Sequence, residues 1–188
     1  MSYFKHDLSE VNSPFIGTGT KIWQYSVVLE EAVIGENCNI CSHCFIENGV
    51  KIGNNVTIKA GVYLWEGIEI EDNAFIGPNV VFTNDIYPRS KQFKEPNKTK
   101  IGKGASLGAN STVLAGVTVG DFAMTGIGSV ITKSLKSHGL YFGNPARQKA
   151  WIDEFGEKLF FDESKNLWIN SNNIVFIEQA NGLEKSSI

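Results

Sequence analysis

The stretch IGENCNICSHCFIENGVKIGNNVTIKAGVYLWEGIEIEDNAFIG, residues 34–77, decides the fold. Within it an aliphatic side chain returns at every sixth position: Ile34, Ile40, Ile46, Ile52, Ile58, Leu64, Ile70 and Ile76. A helix repeats every 3.6 residues and a simple strand alternates with a period of two, so a period of six belongs to neither. Outward from this stretch the series reaches back through Val28 and Ile22 to Ile16 and forward to Phe82. After an interruption it resumes at Ile101 and runs through Leu107, Val113, Val119, Thr125 and Ile131. Thr125 is the one polar residue among these 18 positions. Four residues beyond most of them the side chain is small or β-branched, as at Thr20, Ser26, Cys38, Cys44 and Val56.

Short strands with a corner every six residues fit this pattern. The aliphatic residue fills an interior and the small residue fits a cramped corner. Three hexads close one 18-residue coil, and coils stack at sheet spacing, about 4.8 Å. The expectation is an all-β chain: a parallel β-helix of about six coils between Ile16 and roughly Lys136. Domain 1–136 holds the coils, with a loop excursion over about 86–100 that keeps the phase of the repeat. A loop this long in a regular solenoid is usually functional. Domain 137–188 is expected to hold a helix over Ala146–Leu159, with Ile152, Phe155 and Leu159 on one face, capping the last sheet edge. Short strands at 158–161, 167–169 and 174–177 follow, then a frayed tail over 181–188.

Composition narrows the function. The net charge of −3 conceals an asymmetry: 4 Lys/Arg against 10 Asp/Glu over 1–84, 10 against 3 over 85–149, and 3 against 7 over 150–188. A basic middle in an acidic chain points to a local anionic ligand, not a nucleic-acid footprint. No apolar run is long enough to span a membrane, and the N-terminus carries charges of both signs without an apolar core, so a cytoplasmic protein is expected.

The repeat resembles the hexapeptide-repeat acyltransferases over nearly all of 16–147. That resemblance implies a left-handed coil, a homotrimer, and acetyl-CoA held in the groove between subunits. Three stretches narrow it: GTKIWQYSVV (19–28), GPNVVFTNDIYPRS (77–90) and GNPARQKAWIDEFGEKL (143–159). They are similar to N-acetyltransferases that acylate the 3-amino group of nucleotide-linked amino sugars for surface polysaccharides such as O-antigen or S-layer glycan. The implied acceptor is a dTDP-3-amino-3,6-dideoxyhexose, with a UDP-2-acetamido-3-amino-glucuronate as the alternative. A non-catalytic scaffold subunit is the rival outside enzymology.

The 18-residue offset places residues beside the loop exit. Asn84 and Asp85 leave the coil; Glu66 and Asn48 stack beside Asn84, Trp65 and Glu47 beside Thr83, and Tyr63 and Phe45 beside Val81. The outward aromatics Tyr63 and Trp65 either pack against another subunit or stack a base. Arg89 and Lys91 offer cations to a sugar nucleotide. The resemblance sets CoA along coils five and six, against Gly102, Gly108 and Gly126, with Asn144, Arg147 and Lys149 at its nucleotide end. Arg grips phosphate bidentately, whereas Lys acts as a point charge.

The expected chemistry is direct attack of a neutral amine on the thioester. A hydroxyl nucleophile needs a base such as His, and no His marks the Asn84 column. Asn84 would orient the amine, with Glu66 and Asp85 as rival proton acceptors; alternatively Asn84 merely shapes the loop exit. Cys38, Cys41 and Cys44 share a C-x2-C-x2-C spacing, but the register puts Cys38 and Cys44 in corners on different sides and Cys41 outward. No metal is expected there or elsewhere.

Overall fold

The computed structural model describes residues 2–186. Two-residue strands recur through the repeat, and in each the hexad residue is the buried member, as in Asn39–Ile40, Thr57–Ile58 and Val81–Phe82. They pair in parallel into three sheets that form the sides of a solenoid. The register is the expected one: Lys21 pairs with Asn39, Asn39 with Thr57, and Thr57 with Phe75. Ile22, Ile40, Ile58, Ile76, Leu107 and Thr125 therefore make one interior column, each buried. Thr125 is tolerated because its hydroxyl has partners: Gly108 N–H donates to its Oγ1 at 3.1 Å, and Ser111 Oγ lies 3.4 Å away.

The corner residues are buried, and polar ones such as Thr20 and Ser26 hydrogen-bond across coils. Thr20 Oγ1 donates to Gly35 C=O at 2.7 Å and accepts from Cys38 N–H at 3.0 Å. Small size fits them into the corner, and the hydroxyl satisfies backbone groups that a buried corner would otherwise leave unpaired.

The solenoid has about eight turns, not six. One sheet carries eight parallel strands, from Phe4–Lys5 to Gly139–Phe142, with Arg147–Trp151 added antiparallel at its end. Both extra turns are invisible to a six-residue count because they are short. Lys5 pairs with Ile22 and Val11 with Val28, offsets of 17; Thr125 pairs with Tyr141 and Val119 with Leu135, offsets of 16.

The expected helix over Ala146–Leu159 is absent, and the described residues contain no helix at all. Arg147–Trp151 is a strand that pairs with Gly139–Phe142, and Asp153–Gly156 is a turn. The apolar spacing misled because its residues do not share a face: Ile152 and Leu159 are buried, but Phe155 is 84% exposed. The open edge of the last coil offered unpaired backbone groups, and a strand satisfies those where a helix cannot. Asp153 Oδ1 then closes the turn, accepting from Phe155 N–H and Glu157 N–H, both at 2.9 Å.

Four antiparallel strands complete the chain: Phe160–Asp162, Leu167–Ile169, Val175–Gln179 and Gly182–Lys185. The last stands where a frayed tail over 181–188 is expected; residues 187–188 of that stretch lie outside the described residues. They enclose a second small core of Trp151, Leu159, Phe176 and Leu183.

Candidate functional site

The solenoid is interrupted once. Ile70 pairs with Ile101, and Phe82 with Val113, 31 residues apart where a coil spans 18. The inserted chain leaves after the strand Val81–Phe82 and returns at the strand Thr99–Ile101. The segment Phe82–Asp85 divides its work residue by residue. Phe82 is buried in the core, and its C=O accepts from Trp65 Nε1–H at 2.8 Å. Thr83 is stapled to the following coil, with its N–H donating to Val113 C=O at 3.0 Å and its Oγ1 accepting from Ala115 N–H at 2.9 Å. Asp85 caps the first loop turn by accepting from Tyr87 N–H at 2.7 Å, and Lys94 Nζ lies 3.7 Å from the same oxygen. Asn84, between them, is exposed and its amide has no partner among the described residues.

Asn84 opens into a cleft of about 550 Å³. One wall is the solenoid corner with Glu47 and Glu66; the other is the loop, with Asp85, Arg89, Phe93 and Lys94. Glu66 and Asn84 thus meet as the offset required. Asn48 does not join them: its Oδ1 accepts Glu31 N–H at 3.0 Å, and it lies outside the cleft lining. Glu47 takes its place. Its Oε2 accepts Glu66 N–H at 2.8 Å, a 19-residue reach that strict 18-residue stacking passes over. Carboxylates from Glu47 and Glu66, an uncharged amide and loop cations line one space, which suits a ligand carrying both an amine and phosphates. Phe93, 83% exposed on the loop side, escaped sequence reading because the loop has no repeat to fix its position.

Other expected site residues fall apart from this cleft. Tyr63, half exposed, and Trp65 form an aromatic group with Phe45; Trp65 is 5.7 Å from Phe45 and 6.2 Å from Tyr63, ring centre to ring centre. They line a separate apolar groove with Tyr25 and His43. Lys91 is exposed, has a left-handed φ of 60° and lies outside the cleft lining. Arg89 lines it, with Nη1 donating to Pro88 C=O at 2.9 Å.

Among the residues expected to meet CoA, the glycines show a packing reason of their own. A Cβ on Gly108 would sit 2.6 Å from the backbone of Gly126, and one on Gly126 would enter the Phe142 ring. Gly102 borders a groove of about 430 Å³ shared with Lys100 and Lys136. Lys100 is already held by Glu71, 2.6 Å away; the hydrogen bond to that carboxylate, then its charge, raises the Lys100 pKa. Asn144, Arg147 and Lys149 are exposed. Arg147 and Lys149 lie on the edge-capping strand, where the register skips Lys149 between the pairs Tyr141–Gln148 and Leu140–Ala150 and leaves it as a bulge.

Cys38 and Cys44 are buried corner residues whose thiols donate to Gly53 C=O and Lys59 C=O on different sides of the coil. Burial raises both thiol pKa values, Cys44 to about 11. No cluster of three His, Cys, Asp or Glu able to hold a metal occurs among the described residues. His138 is buried, stacks on Phe122 and has Nδ1 2.9 Å from Ile152 C=O, remote in sequence and element from Asn84.

The profile of bacterial transferase hexapeptide repeats (six repeats) matches residues 13–48 and 49–84, and that of the hexapeptide repeat of succinyl-transferase matches 31–66 and 98–133. Over 163 residues the chain is 51% identical to dTDP-3-amino-3,6-dideoxy-alpha-D-galactopyranose 3-N-acetyltransferase of Aneurinibacillus thermoaerophilus, covering 86% of this chain and 85% of that protein. Among solved structures, a mutant of AntD, an N-acyltransferase from Bacillus cereus, in complex with dTDP and coenzyme A, superposes with a TM-score of 0.64. It is 24% identical, and the match covers 78% of this chain and 84% of that one. A mutant GDP-perosamine N-acetyl transferase from Caulobacter crescentus, in complex with CoA and GDP-perosamine, gives 0.60 at 23% identity, covering 70% of this chain and 56% of that one. At such identities the two structures speak for the fold alone.

Proposed function

The chain belongs to the bacterial hexapeptide-repeat transferase family, and from that premise we propose that it transfers acetyl from acetyl-CoA to the 3-amino group of a dTDP-linked 3-amino-3,6-dideoxyhexose. The observation that carries this reading is the 51% identity to an enzyme of that activity over 86% of the chain. The unpartnered Asn84 amide beside Glu66 and Glu47, in a cleft with room for a sugar, supports it. The working form is a homotrimer of left-handed coils with CoA in the groove between subunits, and Arg147 and Lys149 at its nucleotide end. A cytoplasmic reaction suits two soluble anionic co-substrates, and the acetamido sugar formed would enter surface polysaccharide.

The neutral amine attacks the thioester carbonyl, a C–N bond forms, and the C–S bond breaks as the tetrahedral intermediate collapses. The surplus ammonium proton leaves with the departing thiolate. Asn84 orients the amine by hydrogen bonding without fixing it as ammonium. Glu66 is the better-placed rival acceptor, because Asp85 is already committed to Tyr87 N–H and Lys94. Holding two ligands in reach can lower the barrier by about 7–11 kcal/mol, and a backbone amide can steady the oxyanion.

The test is incubation with acetyl-CoA and a panel of dTDP- and UDP-linked amino sugars, with products read by mass spectrometry. Acetylation confined to dTDP-3-amino-3,6-dideoxyhexoses is expected. Preference for the UDP-glucuronate acceptor, or CoA binding with no turnover on any sugar, would overturn the reading.

A further inference from the structure

Trp65 stands on the coil before the loop exit, at the corner that also holds Glu66. Its place in the hexad predicts an outward ring that stacks a ligand or a subunit. Its surroundings assign something else. The ring is half-buried and packs against the solenoid core. Its Nε1–H donates to Phe82 C=O at 2.8 Å, 17 residues away and one coil on. That carbonyl stands two residues before Asn84. From the far side, Ala115 N–H holds Thr83 Oγ1 at 2.9 Å. The exit is therefore gripped from the coil before and the coil after, and Asn84 is the first residue beyond the grip.

The corner carrying Trp65 is itself pinned. Glu47 accepts Glu66 N–H at 2.8 Å, and Gly67 C=O accepts Thr99 N–H at 3.0 Å, where the loop returns. One corner thus anchors both ends of the excursion. A partly buried indole N–H normally has a partner, and this one has chosen the strand end that aims Asn84. We propose that Trp65 is a positioning residue for the acyl transfer, acting through the Phe82 carbonyl to hold Asn84 at the amine, and that it does not itself touch the sugar. The inference rests on the function proposed above.

The experiment is a double-mutant cycle on the full chain with Trp65→Phe and Asn84→Ala, singly and together, with folding checked by circular dichroism and amide exchange followed by NMR. Trp65→Phe keeps an aromatic ring and loses the donor. In the natural background it is expected to lower kcat about tenfold with the KM for acetyl-CoA unchanged, and to speed exchange of the Thr83 and Tyr87 amides. In the Asn84→Ala background it is expected to cost less than twofold, because the group it aims is gone. An equal loss in both backgrounds with a raised sugar KM would show direct substrate contact and overturn the proposal, as would wild-type kcat with unchanged exchange. If Trp65→Phe does not fold, the natural protein decides: Thr83 must be protected like the strand Val81–Phe82, and exchange as fast as that of Phe93 overturns the grip. The exchange readout does not depend on the sugar, so failure of the proposed activity and failure of this inference are distinguishable.

Discussion

Replacing Ile58 by Ala tests the rigidity of the solenoid that carries the candidate site. Ile58 is fully buried between Ile40 and Ile76 in the interior column. The change deletes three carbons, about 2.4 kcal/mol of transfer free energy at roughly 0.8 kcal/mol each. A cavity term adds to this when the surroundings cannot collapse. Here they are held: Cys41 N–H donates to Ile58 C=O at 2.8 Å, and Lys59 N–H to Ile76 C=O at 2.9 Å, so the coils above and below cannot close on the gap. An unrelaxed void adds about 1–2 kcal/mol, for a total of about 4 kcal/mol. The assay is urea unfolding followed by circular dichroism at matched protein concentration, since any subunit association would add to apparent stability. A loss below about 1.5 kcal/mol with an unchanged m-value would refute the picture of a column that cannot relax.

Asn84→Ala should lower kcat at least about tenfold, roughly 1.4 kcal/mol of transition-state stabilisation, while Ala variants of His6, His43 and His138 that fold stay near wild type; a folded His variant slowed a thousandfold would sink the base-free mechanism. Arg147→Ala should raise the KM for acetyl-CoA more than that for the sugar, and binding should weaken with salt as phosphate contacts are screened; unchanged CoA affinity would refute the assigned polarity of CoA. Burial lowers the His138 pKa, opposed by its bond to Ile152 C=O and by nearby Glu154, Asp121 and Asp153. The unfolded state then binds the proton first, so stability is full above about pH 6.5 and falls as pH drops toward the lower folded value. His138→Gln should flatten that part of a urea-midpoint profile between about pH 5 and 7.5; an unchanged slope would assign it to another group.

The legible part of the fold was the part that repeats. Eighteen hexads place Ile40, Ile58 and Ile76 in one column, and the constant offset brings Asn84 beside Glu66. Where the spacing changes, the repeat no longer predicts neighbours. The first and last turns, shortened to offsets of 17 and 16, dropped out of a period-six series.

The solenoid, its register and the point where the chain departs follow from residue spacing alone, because a parallel stack reuses one local rule and makes long-range neighbours predictable. Packing in three dimensions settled what spacing does not encode. Residues 147–151 became a strand because an unpaired sheet edge stood next to them, and local periodicity carries no information about that edge. Trp65 turned from an outward ring into a clasp on Phe82, and Glu47 reached one residue past its stacking partner to Glu66. Both depend on side-chain direction at a corner, which the hexad count leaves free.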